Sequence, residues 1–208
     1  PLGTGVLFAA AMAGATKPED LDHALAQMGT SQHPIVEQLQ ALINLDPEAL
    51  SSCTDVTGFG LLGHLGEMLQ ASSQSLQVVL DGSSIPALPG AFKLLKAQYA
   101  SSLAPANRRA WSLLDPSQGH PAKVMLVRAG NGLDPEEHQA LLELLVDPQT
   151  CGPLLLGCSE AMADALLQAS DTPWHRIGVV SASRADAACA SAAIPLQALG
   201  PAANPGPT

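Results

Sequence analysis

Apolar positions recur along this chain with two different spacings, and the switches between them mark out its elements. Residues 5–15 form a small, apolar run that reads as a helix. A second helix is predicted over 18–28, opened by Pro18-Glu19-Asp20, where proline suits a first turn and acids suit the positive helix end. After His33-Pro34, the residues Ile35, Leu39, Leu42 and Ile43 return at helical spacing. The first quarter is therefore expected to be α-helical. Residues 51–57 read as a short extended piece, 58–71 as a helix with Leu62, Leu65 and Leu69 on one face, and 76–80 as a strand ended by Asp81-Gly82. Helices are expected over 89–102 and 107–114, a turn-rich stretch over 115–121 and a short strand over 123–127. A helix over 135–145, a strand over 154–158, a helix over 160–169 and a strand over 176–180 complete the pattern.

After Ser181 the chain turns to Ala, Ser, Pro and Gly, with too few large apolar residues to offset the entropy of ordering them. The mixed order divides into a helical segment over 1–50, an α/β domain over 51–182 and a flexible, frayed tail over 183–208. Composition agrees with a folded chain: 47% of the 208 residues are hydrophobic and 13% charged. The formal net charge of −10 excludes a basic nucleic-acid footprint and disfavours an anionic membrane surface. The longest small and apolar stretch, Val6 to Ala15, is about half the roughly 20 residues that cross a bilayer. Cys53, Cys151, Cys158 and Cys189 form no C-x-x-C pair, so reduced thiols and a cytoplasmic location are expected. No basic, apolar leader is present, and the opening Pro1-Leu2-Gly3-Thr4-Gly5 lacks an initiating Met, as expected of a segment of a longer protein.

Candidate chemistry concentrates in Cys53-Thr54-Asp55-Val56-Thr57-Gly58-Phe59-Gly60-Leu61-Leu62-Gly63-His64. A carboxylate at Asp55 before a glycine-rich helix entry can hold Mg²⁺ while free helix-start amides face phosphate oxygens. The same residues can instead cap a turn. Gly60, Gly63 and Gly66 each cost about 1 kcal/mol inside a helix, which calls for close approach to another backbone or to a ligand. His64 can be a site residue or a solvated helix residue; it falls with Glu67 and Gln70 on the polar face, which favours solvation. A second stretch, Asp147-Pro148-Gln149-Thr150-Cys151-Gly152-Pro153, places a polar turn before a buried strand. Cys151 has no identifiable histidine partner, and the other thiols read as small apolar packers. Asn107-Arg108-Arg109 contains the chain's adjacent pair of positive charges, suited either to phosphate contact or to solvation.

Taken together, Pro1-Leu2-Gly3-Thr4-Gly5, the run from Thr54 to His64 and Asp147-Pro148-Gln149-Thr150 resemble the selenophosphate synthetase (selenide, water dikinase) family, within the aminoimidazole ribonucleotide synthetase-like superfamily. The likeness covers residues 1 to about 180 in order and corresponds to that family's second half. It implies an α+β fold (an α/β sandwich), a mixed sheet packed by helices in the manner of that superfamily's C-terminal domain, following an N-terminal ATP-binding domain. It further implies a homodimer that converts ATP, selenide and water into selenophosphate, AMP and orthophosphate with Mg²⁺. By this resemblance Asp55 is a metal ligand, and Thr54, Thr57 and Gly58 are cofactor-binding. The family's nucleophilic Cys or selenocysteine, its nearby Lys and its glycine-rich loop are expected upstream, leaving no catalytic residue in residues 1–208. Departures occur at Pro153, which removes a backbone donor, in Ala104-Pro105-Ala106-Asn107-Arg108-Arg109, where Arg108 alone matches, and in a longer, turn-rich 115–133. Two other readings fit the same residues: a different ATP-dependent member of the superfamily, and an inactive dimerisation or regulatory module.

Overall fold

The computed structural model describes residues 1–112, 122–127, 134–169, 174–182 and 194–195. In chain order the elements are α1 (Thr4–Met12), α2 (Pro18–Met28), α3 (His33–Leu45), β1 (Leu50–Asp55), α4 (Gly60–Gln70), β2 (Leu76–Asp81), α5 (Ala91–Lys96), α6 (Ala104–Ser112), β3 (Ala122–Val127), α7 (Pro135–Val146), β4 (Leu154–Cys158), α8 (Glu160–Gln168), β5 (Gly178–Ala182) and β6 (Ile194–Pro195). The fold is α+β, as expected. One sheet has the order β5-β2-β3-β6, with β2 and β3 parallel and the outer strands antiparallel to them. The strands β1 and β4 form a separate antiparallel pair.

Register decides which side chains meet. Val78 pairs with Val124 and Leu80 with Leu126, so all four face one side of the sheet. They share a core with Leu61, Leu62, Leu65 and Leu69 of α4 and with Leu141, Leu144 and Leu145 of α7. A smaller cluster joins Leu39 of α3, Ala49, and Met162 and Leu166 of α8. Strand β4 serves both, because Leu155 belongs to the main core while Leu154 and Leu156 pack on the smaller cluster. That alternation fixes where β4, and the turn preceding it, must sit.

Several boundaries differ from the sequence expectation for local reasons. Helix α1 stops at Met12 because Ala13, Gly14 and Ala15 turn back onto the carbonyls of Ala10 and Ala11, with Gly14 at φ +70°. Helix α5 ends at Lys96, well short of residue 102. Gln98 takes φ +65°, and Tyr99 N–H reaches the Leu94 carbonyl, closing the helix in a Schellman motif. Helix α6 starts three residues early, since Pro105 is compatible with a first turn. Strand β5 is shifted by two residues, its register set by Leu80 opposite Gly178. The end of the helix expected to reach 114 and the turns expected over 115–121 lie outside the described residues, as does most of 183–208. Within that last segment, Ile194–Pro195 forms an edge strand on β3, a position that tolerates proline and that composition did not anticipate.

Candidate functional site

Two turns that are distant in sequence are bound to each other. The first, residues 56–59, leads from β1 into α4, and the second, residues 147–153, leads from α7 into β4. Val56 N–H donates to the Pro153 carbonyl at 2.8 Å, and Gln149 N–H donates to the Thr57 carbonyl at 3.0 Å. Asn107 is buried, and its Nδ2 donates to the carbonyls of Gly58 and Val146, both at 2.9 Å. Gly60 supplies the close approach. It has φ +70°, and a Cβ there would lie 2.8–3.0 Å from backbone atoms of Leu145, Val146 and Asp147. The cost of glycine in α4 is thus accounted for at Gly60 by another backbone.

These contacts also aim the turn's amides. A trans peptide points its N–H opposite its C=O. The Thr57 carbonyl accepts from Gln149 and Gly60, and the Gly58 carbonyl accepts from Asn107. The N–H groups of Gly58 and Phe59 therefore face away from the protein body, and neither has an acceptor among the described residues. No side chain caps α4. Asp55 is exposed at the end of β1, immediately before this turn. Thr57 and Gly58 share the turn, whereas Thr54 points to the other face of β1, its hydroxyl bonded to the Asp55 carbonyl at 3.2 Å.

His64 departs from its expected solvation. It is buried, with Nε2 3.1 Å from Thr57 Oγ1 and Nδ1 3.1 Å from Glu67 Oε2. The helical pattern places His64 beside Glu67 correctly, but the turn before α4 folds Thr57 over the ring and removes it from water. Arg108 is committed to the body of the protein, its Nη2 2.8 Å from Glu143 Oε2, so the arginine pair does not present Arg108 as a phosphate contact. Asn107, beside it, was not singled out from sequence, although it joins both turns. Replacing Asn107 by Leu takes the donor from a buried carbonyl, Val146, and from the part-buried Gly58 carbonyl, and is expected to destabilise the protein by about 1–3 kcal/mol, read by denaturant unfolding.

The second turn is braced against the chain's start. Gln149 Oε1 accepts from the amides of Gly3 and Thr4 at 2.9 and 3.2 Å, and its Nε2 donates to the Asp147 carbonyl at 2.8 Å and to Asp147 Oδ2 at 3.0 Å. Thr150 N–H donates to Thr4 Oγ1 at 3.0 Å. The two sequence motifs at residues 1–5 and 147–150 are therefore one structural unit. Asp147 is 1% exposed, and burial pushes its carboxyl up to about 7 despite the opposing pull of the Val6 and Gly5 amides and of Gln149. Its Oδ1 abuts Gly5 without a hydrogen bond of good geometry. Between the unfolded value of 3.8 and about 7 the folded state holds the extra proton, so this group makes stability fall as pH rises across that window. His138 acts oppositely: burial lowers its basicity, which favours folding as pH rises. Subtracting the unfolding free energy of Asp147→Asn from that of the parent at each pH is expected to leave the downward slope between pH 4 and 7; a flat difference would contradict the buried-acid assignment.

Neither Cys53 nor Cys158 is an activated nucleophile. Burial and the neighbouring Asp55 charge push the exposed Cys53 thiol up, and burial raises Cys158 against the pull of Arg176. Cys151 is exposed at φ +51°, and Cys189 lies outside the described residues. Among the described residues no three of His, Cys, Asp and Glu gather to enclose a metal. Asp55 therefore provides a single carboxylate. That suits Mg²⁺, which keeps several waters and commonly takes one or two carboxylates together with substrate phosphates.

Comparison with known proteins matches residues 1–188 to the family described as AIR synthase related protein, C-terminal domain. Selenide, water dikinase of Geobacter metallireducens is 35% identical over 167 residues, covering 80% of this chain and 41% of that protein. The protein of the same name from Burkholderia pseudomallei is 35% identical over 182 residues, covering 86% of this chain and 44% of its own length. That of Nitratidesulfovibrio vulgaris is 32% identical over 187 residues, with 86% and 46% covered. The chain thus spans less than half the length of these relatives.

Proposed function

We propose, from the fact that this chain belongs to the AIR synthase related protein family through its C-terminal domain, that it forms the C-terminal part of a selenide, water dikinase. The complete enzyme converts ATP, selenide and water into selenophosphate, AMP and orthophosphate, acting as a cytoplasmic homodimer. The observation that carries this reading is the Asp55 turn, where an exposed carboxylate stands beside two outward amides and an uncapped helix start. Asp55 would hold Mg²⁺, which when bound neutralises charge on the polyphosphate. Gly58 and Phe59 N–H groups suit phosphate oxygens, and Thr57 lies between them and the carboxylate in sequence. Asn107 and Gln149 keep these groups in place without touching the nucleotide.

The activity for which the relatives are named favours this reading over another ATP-dependent member of the superfamily. Chromatography of nucleotides discriminates between them. The full-length protein is expected to release AMP only when selenide is supplied, with the isolated chain inactive in parallel. Release of ADP independent of selenide would favour the other superfamily reading, and an unreactive full-length protein would favour a regulatory module.

A further inference from the structure

Thr57, His64 and Glu67 form a continuous hydroxyl, imidazole and carboxylate chain at the mouth of the Asp55 turn, with successive contacts of 3.1 Å. Its proton arrangement follows from donor chemistry. An ionised Glu67 carboxylate accepts and does not donate, so the Nδ1 facing it carries the ring proton. In the neutral ring Nε2 is then an acceptor, and the Thr57 hydroxyl must donate to it. Both Thr57 lone pairs are left available on the side away from the ring. A hydroxyl held by a base that is itself oriented by a carboxylate is the arrangement enzymes use to draw a proton from a nucleophile. Burial of the ring keeps bulk water from competing for Nε2.

We infer that Thr57, His64 and Glu67 are a proton relay that activates the attacking water of the phosphoryl transfer. This rests on the proposed function, whose reaction consumes one water; selenide enters as an anion that is already nucleophilic, whereas water must lose a proton. The water oxygen forms a bond to phosphorus as the bond from phosphorus to the leaving phosphate oxygen breaks. In the same movement the water proton passes to Thr57 Oγ1 while the Thr57 proton passes to His64 Nε2. Glu67 stabilises the resulting imidazolium, and the proton leaves to solvent as product departs. Thr57 is then the catalytic residue, His64 its base, and Glu67 a positioning residue acting through the imidazole. The competing role is a staple in which Thr57 merely pins the second turn of α4.

The test uses the full-length enzyme. Thr57→Val and His64→Ala are each expected to lower kcat by roughly 10²–10³-fold with KM for ATP changed less than about threefold, within the range of general acid–base effects. The double variant should lose little more than either alone, since the two groups act as a unit. Thr57→Ser should recover most of the loss. Added imidazoles should restore His64→Ala in proportion to their basicity, a trend that filling a cavity would not follow. Nitrogen NMR of the wild-type ring should find the proton on Nδ1, with no substrate present. A ring protonated on Nε2, or a Thr57→Val enzyme within about fivefold of wild type, overturns the relay. If wild type makes no selenophosphate, the proposed function fails and the relay's role in water attack with it; if wild type makes it and Thr57→Val does so equally, the relay alone fails.

Discussion

Asp55→Asn in the full-length protein is expected to lower kcat for ATP conversion by roughly 10²–10³-fold, the scale of losing one preorganised electrostatic contact to a developing charge. Stability should hardly change. Asp55 is exposed at a strand end, and its carboxylate makes no hydrogen bond that braces the fold among the described residues. Substitutions at such surface positions usually stay within about 0.5 kcal/mol. A second consequence separates metal binding from packing. The variant's requirement for Mg²⁺ should move to higher concentration, because an amide oxygen is a poorer ligand for a hard cation than a carboxylate. Thermal melting and Mg²⁺ titration of activity read the two effects independently. A variant with wild-type turnover and wild-type Mg²⁺ requirement would remove Asp55 from the site.

Gly152→Ala is expected to produce the largest loss of stability among single methyl additions. A Cβ at this position would overlap the Val56 carbonyl oxygen and lie 2.8 Å from Gln149 Cβ. The obstructing oxygen is backbone, and the strand behind it is held by pairing of Cys53, Thr54 and Asp55 with β4, so it cannot swing aside. The two turns must separate, which also breaks the bonds from Val56 to Pro153 and from Gln149 to Thr57. A loss of about 3–5 kcal/mol follows, or roughly 10 °C or more in melting temperature. Differential scanning calorimetry of the purified protein measures it. Gln32→Ala is a milder comparison, since it removes only the 2.6 Å contact from Gln32 Nε2 to the Gly152 carbonyl on the outside of the same turn.

Much of this architecture is legible in the sequence because it is set by local chemistry. Proline and acids fix the start of α2 at Pro18, and the apolar run Leu154 to Cys158 is the whole of β4. The glycine-rich entry to α4 and the carboxylate before it are equally plain. What escapes is whatever depends on a long-range partner. Gln149 bonds to amides 145 and 146 residues earlier, which no spacing rule reports. Asn107 bridges two turns that are 39 and 49 residues away. His64 reads as a solvated polar-face residue until the turn brings Thr57 onto it, seven residues upstream and outside the helix. Helix α5 reads as long because its stop signal, Gln98 in a left-handed conformation, is not a glycine.

The same long-range contacts explain how Pro153, a departure from the family pattern, is accommodated. Its missing N–H is not needed to hold the turns together, because the join at that point runs through its carbonyl to Val56. The site's stiffness therefore comes from Asn107, Gln149 and the Gly60 and Gly152 contacts. On the proposed reading, its chemistry falls to Asp55, the outward amides and the Thr57 chain.

Phosphorus NMR of the full-length protein with ATP, Mg²⁺ and selenide under anaerobic conditions tests the central claim most directly. A selenophosphate resonance growing together with AMP and orthophosphate, and absent when selenide is withheld, is the predicted result. ATP converted to ADP without a selenium-bearing phosphate, or left unchanged by a correctly folded protein, would contradict it.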